Sequence, residues 1–128
     1  MRPPIRFVVW LFCLFNLTTT HAATVSVITP ADRNLLIAVG QGQTNRVEAL
    51  LKSGANVNTL HPLWRLTPLQ VAAEIDYDMV KLLVARGAEV NVADIDGITP
   101  LIRAVVRRDP RMVKLLLDSG AQINVKDH

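Results

Sequence analysis

The chain has 128 residues, half of them apolar, enough for one domain with a buried core and too few for a second. Its formal charge of +3 owes much to its first residues: without Arg2 and Arg6, 12 basic residues face 11 acidic ones, a balance that exerts no strong pull on nucleic acid. The single cysteine, Cys13, lies in the same N-terminal stretch, so the rest of the chain holds neither a disulfide nor a thiolate metal site.

Residues 1–22 read as a secretory signal peptide. Arg2 and Arg6 supply the positive start, Phe7 to Phe15 is an unbroken apolar run, and polar Thr18-Thr19-Thr20-His21 leads to Ala22-Ala23. Cleavage is expected after Ala22. The alternative is an uncleaved anchor, but the run is shorter than the ~18–20 residues that span a bilayer. Bulky Phe12 before Cys13 argues against lipidation, and the sequon Asn16-Leu17-Thr18 would leave with the signal. The expectation is export, to the periplasm first and the medium second, with no membrane insertion after cleavage.

Residues 23–31 are β-rich and short, an extended lead-in. Asp32 stands where an N-cap belongs, ahead of Leu35, Leu36, Ala38 and Val39. Gly40-Gln41-Gly42-Gln43 breaks that helix. Thr44 can cap the next, whose Val47, Leu50 and Leu51 share one face, and Gly54 stops it at a position that needs a left-handed backbone. Thr67-Pro68-Leu69-Gln70 predicts a helix opened by a capping box. Asp76 or Asp78 can cap its successor, which runs through Met79, Val80, Leu83 and Val84 to Gly87. Thr99-Pro100-Leu101 repeats the opening with Ile102 and no box, and Asp109-Pro110 starts the last helix, ending at Gly120. Between units lie residues 58–66 and 91–98, the second of which reads as a hairpin with a glycine-assisted turn.

One phrase recurs. Leu50-Leu51-Lys52-Ser53-Gly54-Ala55-Asn56-Val57-Asn58 returns as Leu83 to Asn91 and as Leu116 to Asn124, and the glycines at 54, 87 and 120 set a period of 33. Together with Thr-Pro-Leu, paired Ala and Asp-x-x-Gly-x-Thr-Pro-Leu, this chain resembles the ankyrin repeat family over residues 32–128. The resemblance implies an all-α solenoid of three helix-turn-helix units, about 32–64, 65–97 and 98–128, joined by short β-hairpin loops.

Departures from the pattern are informative. Gln70 and Ile102 replace the histidine the family commonly carries, so its tie between loops is absent or replaced. Unit one has no Thr-Pro-Leu and resembles an N-terminal cap. The loop at 59–66 gains a residue, the turn near 74–78 loses one, and the first loop lacks the counterparts of Asp94 and Gly97. Asp127 falls in register with Asp94 with no polar closing repeat behind it, so the third unit is expected to be self-capped, covered, or cut from a longer array.

Catalysis finds little support. No histidine pair has metal-ligand spacing, Gly40-Gln41-Gly42 lacks the context of a phosphate loop, and the pairs Asp76/Asp78 and Asp94/Asp96 sit where caps and turns want acids. No enzyme activity, cofactor or metal is expected. The family pattern instead implies a protein partner bound in a concave groove by Leu63, Trp64 and Leu66 on the first tip and Ile95, Asp96 and Ile98 on the second. Glu74, Ile75, Val106 and Arg107 would join them from the inner helices. Trp64 is the sharpest candidate, against the alternative that its indole folds back on the stack. Arg103, Arg107, Arg108, Arg111 and Lys114 read as a solvated basic face, with an acidic protein partner as the functional alternative.

Exported ankyrin-type proteins of Gram-negative bacteria are similar in plan, which implies stress protection or inhibition of a secreted toxin as roles. Self-association through the uncapped third unit, or a membrane-tethered scaffold, is the competing expectation.

Overall fold

Thr29 and Pro30, rather than Asp32, open the first helix. The computed structural model describes residues 28–123; the signal segment, residues 23–27 of the lead-in and Asp127 lie outside the described residues. Helix α1 spans Pro30–Gly40, and Thr29 Oγ1 accepts from the Asp32 amide at 3.1 Å. Proline pre-sets the first helical φ and lacks an amide that would otherwise go unbonded there. The expected lead-in therefore gives way to helix at Pro30.

Helix α2 (Thr44–Lys52) also departs from expectation, for Thr44 is its first residue and Gln43 holds the cap position with no side-chain bond. Helix α3 (Pro68–Ala72) starts with the predicted capping box: Thr67 Oγ1 accepts from Gln70 N at 3.2 Å and Gln70 Oε1 from Thr67 N at 2.8 Å. In α4 (Tyr77–Ala85) Asp76 occupies the cap position without a side-chain bond. Thr99 caps α5 (Pro100–Val106), and Asp109 caps α6 (Pro110–Asp118) through the amides of Arg111 and Met112.

The recurring Gly-Ala is a helix stop. Gly54, Gly87 and Gly120 take φ of +102°, +87° and +96°. The alanine amide that follows each reaches back to the carbonyl of Leu50, Leu83 or Leu116 at 3.1, 3.0 and 2.9 Å. This is the Schellman closure, which occupies carbonyls the helix end would leave unbonded. Ala55 and Ala88 are buried, so the position wants a side chain small enough for the core.

Helices pair as α1/α2, α3/α4 and α5/α6. Helix α3 packs on α1, α5 on α3, and α6 on α4. Leu35, Val39, Val47, Leu69, Met79, Leu83, Met112 and Leu116 are fully enclosed and form one continuous core across the units. No β-strand occurs among the described residues, so the expected hairpins are turns. Loop 94–98 is closed by Asp94 N to Ile98 O at 3.1 Å, with Gly97 N to Asp94 O inside it, a pairing too short for a ladder.

Asparagines fasten one unit to the next. Asn58 Oδ1 accepts from Glu89 N at 2.8 Å while its Nδ2 donates to Gly87 O at 3.3 Å. Asn91 repeats both bonds with Gln122 N and Gly120 O, at 2.8 and 3.1 Å. In unit one Asp32 stands in, its Oδ1 accepting from Asn56 N at 2.7 Å. Asn56, Glu89 and Gln122 are in register, so a residue wrongly expected to be a cap supplies the first rung of this ladder.

Candidate functional site

The first loop is held by a histidine. His61 N donates to Leu66 O at 2.9 Å, and His61 Nδ1 accepts from the amides of Leu63 and Trp64 at 3.3 and 3.2 Å. Only a neutral ring with its proton on Nε2 can accept at Nδ1. The side chain is buried, and desolvation lowers its pKa from 6.5 to about 4. In the second loop Asp94 does the same work: its Oδ1 accepts from Asp96 N and Ile98 N at 2.8 and 3.0 Å. His61 and Asp94 are one period of 33 apart. The first loop, one residue longer, uses the larger acceptor and places Arg65 at φ +52°.

Both loops are tied at their base by Gln70. Its Oε1 takes the Thr67 amide, and its Nε2 donates to Val92 O at 3.0 Å and Ile98 O at 2.9 Å. The side chain is fully buried. The histidine of the family pattern is thus replaced, and the tie between neighbouring loops is kept.

On this frame the tips present apolar side chains. Leu63 is 68% exposed, Trp64 38% and Ile95 54%, and Val106 at the end of α5 is 74% exposed. Leu66 differs: at 7% exposure it belongs to the core and offers no partner a surface. Ile98 and Asp96 are half-buried on loop two. Ile75 packs against the core and lies near Gly42 in the neighbouring turn.

Glu74 is engaged by both Arg103 and Arg107. Arg103 lies inside the stack, its side chain 3% exposed, between Asp94 Oδ2 and Glu74 Oε1, the latter at 3.2 Å. Arg107 Nη1 donates to the Glu74 carbonyl. The expected solvated basic face therefore loses Arg103, which sits one register from buried Val71 and binds the second loop to the end of α3. Arg111 lies over the Tyr77 ring at 4.8 Å, and Lys114 pairs with Asp118 at 2.9 Å. Periodicity could have indicated the role of His61, since it falls where Asp94 falls. Nothing in the sequence indicated that Arg103 points inward.

The carboxylates nearest this surface are thus occupied: Asp94 serves two amides and a guanidinium, and Glu74 serves Arg103. No group of three or more His, Cys, Asp or Glu among the described residues could hold a metal ion, and no helix among them is long and apolar enough to cross a membrane. What the arrangement offers is contact: apolar knobs on loops whose backbone is fixed by buried acceptors.

The model for ankyrin repeats (3 copies) matches residues 35–127, and the chain belongs to that family. The family is a protein-interaction module, generally without catalytic activity. The chain is 34% identical over 90 residues to the 2-5A-dependent ribonuclease of Mus musculus, which covers 70% of this chain and 12% of that protein. It is 37% identical over 78 residues to the ankyrin repeat-containing protein P1E11.10 of Schizosaccharomyces pombe, covering 60% of this chain and 36% of the other. The likeness thus spans a minor part of either relative.

Proposed function

We propose that this is an exported ankyrin-repeat protein that binds a protein partner across its two loop tips and the end of α5. The observation that carries this reading is the exposure of Leu63, Trp64, Ile95 and Val106 on hydrogen-bonded, preorganised backbone. A large apolar side chain fixed in water is ready to be covered, and a rigid loop loses little entropy when that happens. Export rests on residues 1–22, and the periplasm is the compartment assigned. Toxin inhibition and protection against oxidative stress both fit there. Either would act through the partner, since the chain after the signal has no thiol of its own.

Crosslinking of the exported protein in the periplasm, followed by titration with the partner so identified, tests the reading. Trp64→Ala is expected to weaken that complex by about 2 kcal/mol, as hot-spot aromatics do. Lys81→Ala, an exposed change on α4, is expected to leave it unchanged. Equal affinity for wild type and Trp64→Ala would remove Trp64 from the site. A mature N-terminus other than Ala23 would remove the assigned cleavage.

A further inference from the structure

We infer that two copies of this chain pair through the outer face of α5 and α6, about a two-fold axis beside α6. That face is where each earlier unit receives the next. Ala73 and Val80 are fully buried, and Val84 half-buried, beneath unit three. Their register counterparts are Val105, 57% exposed, half-buried Val113, and Leu117, 37% exposed. Neither exposed position is polar, and Val105 and Leu117 are larger than the residues they match. They line an open groove of about 600 Å³ together with Arg108, Asp109, Lys114 and Asp118.

The charges select the occupant. Two cations and two anions flank the apolar centre, so the rim carries no net sign to attract a strongly acidic or basic partner. A surface with both signs in one row complements itself when rotated by half a turn, which is the requirement of an isologous contact. Antiparallel packing of α6 on its copy sets Lys114 of each against Asp118 of the other, exchanging the two intrahelical pairs, one in each copy, for two across the axis. Head-to-tail stacking lacks a match. None of the large exposed apolar side chains among the described residues falls between residues 28 and 62, where unit one would have to receive the groove.

Sedimentation velocity of the purified exported protein is the test. A monomer–dimer equilibrium in the micromolar range is expected. Leu117→Glu should abolish it with the circular dichroism unchanged, since the side chain is already partly in water, while Leu63→Glu should not. Lys114→Glu should weaken the dimer about tenfold, and Lys114→Glu with Asp118→Lys should restore it. Leu117→Cys, which supplies the single thiol after residues 1–22, should oxidise to a self-crosslinked dimer through the two-fold contact. A wild type that stays monomeric, a Leu117→Glu chain that stays dimeric, or open-ended oligomers in place of dimers would each overturn the proposal. So would a groove that captures a different protein and leaves self-association undetected.

Discussion

Replacing Arg103 by methionine keeps the length and apolar character of the stem and removes the cation between Asp94 and Glu74. Both carboxylates then face each other's vicinity without a counter-charge. Asp94 is 5% exposed at its side chain and Glu74 21%. Stripping one partner from a buried pair destabilises a protein by about 3–5 kcal/mol, because the remaining charge is left desolvated. Here the lower end applies: Glu74 can turn toward water, and Asp94 keeps two amide donors. About 3 kcal/mol is expected, a large part of the ~5–15 kcal/mol that holds a small domain folded. Asp94→Asn in the Arg103→Met background should return about 2 kcal/mol, since the amide oxygen still accepts from Asp96 N and Ile98 N and carries no charge. Val71, buried one register earlier, shows that the stack accepts an apolar residue at this position. Urea unfolding followed by circular dichroism at neutral pH gives each value, provided the slopes agree. A loss under about 1 kcal/mol for Arg103→Met, or no recovery with Asp94→Asn, would refute the account of this cluster as a mutually dependent buried network.

The pH response of the first loop follows from His61. Its folded pKa, about 4 through desolvation, lies below the 6.5 of the unfolded chain, so the unfolded chain binds the proton first. The contribution is complete above pH 6.5 and fades as pH falls toward 4. The full shift corresponds to about 3 kcal/mol. His61→Asn should flatten the difference in urea stability between pH 7 and pH 4.5; parallel pH profiles for the two proteins would contradict this. Gln70→Ala leaves the Val92 and Ile98 carbonyls and the Thr67 amide without their buried partner. A loss of about 2–3 kcal/mol in thermal or urea unfolding is expected. Gly87→Ala meets no atom within 4 Å, so its expected loss of about 1–2 kcal/mol is purely one of left-handed backbone. Arg108, at φ +57°, should respond in the opposite sense, with Arg108→Gly slightly raising the melting temperature.

The repeat was legible because its residues have the same role in every unit. In each unit the phrase sets its first leucine against the core and ends in a Schellman stop, and a period of 33 makes that visible without coordinates. Thr67-Pro68-Leu69-Gln70 was legible for the same reason, since a capping box is local. Misreadings arose where a local signal had two places to act. Asp32 has the chemistry of a cap, but Thr29-Pro30 begins the helix three residues earlier and frees its carboxylate for Asn56. The basic cluster was misjudged for a non-local reason. Whether Arg103 points to water or inward depends on Asp94 and Glu74, which are 9 and 29 residues away. The family pattern puts Leu66 on the first tip, whereas its carbonyl closes the loop and its side chain is buried in the core.

The two loops reach the same backbone closure with different chemistry, and this bears on recognition. In loop two a carboxylate accepts two amides and is locked in turn by Arg103, so the segment bearing Ile95 is fastened to α5 and, through Glu74, to the end of α3. In loop one, which is one residue longer, a neutral imidazole accepts the Leu63 and Trp64 amides directly. The amides that His61 holds belong to the exposed residues themselves, whereas Asp94 holds those flanking Ile95 at 96 and 98. Positioning of Trp64 is therefore set by one side chain, and positioning of Ile95 by a network across two units. That network does not recur in the chain, since Val71 stands at the register of Arg103 and His61 at that of Asp94. The imidazole-held tip belongs to the loop that is one residue longer, and it carries Trp64, an exposed aromatic of the described chain.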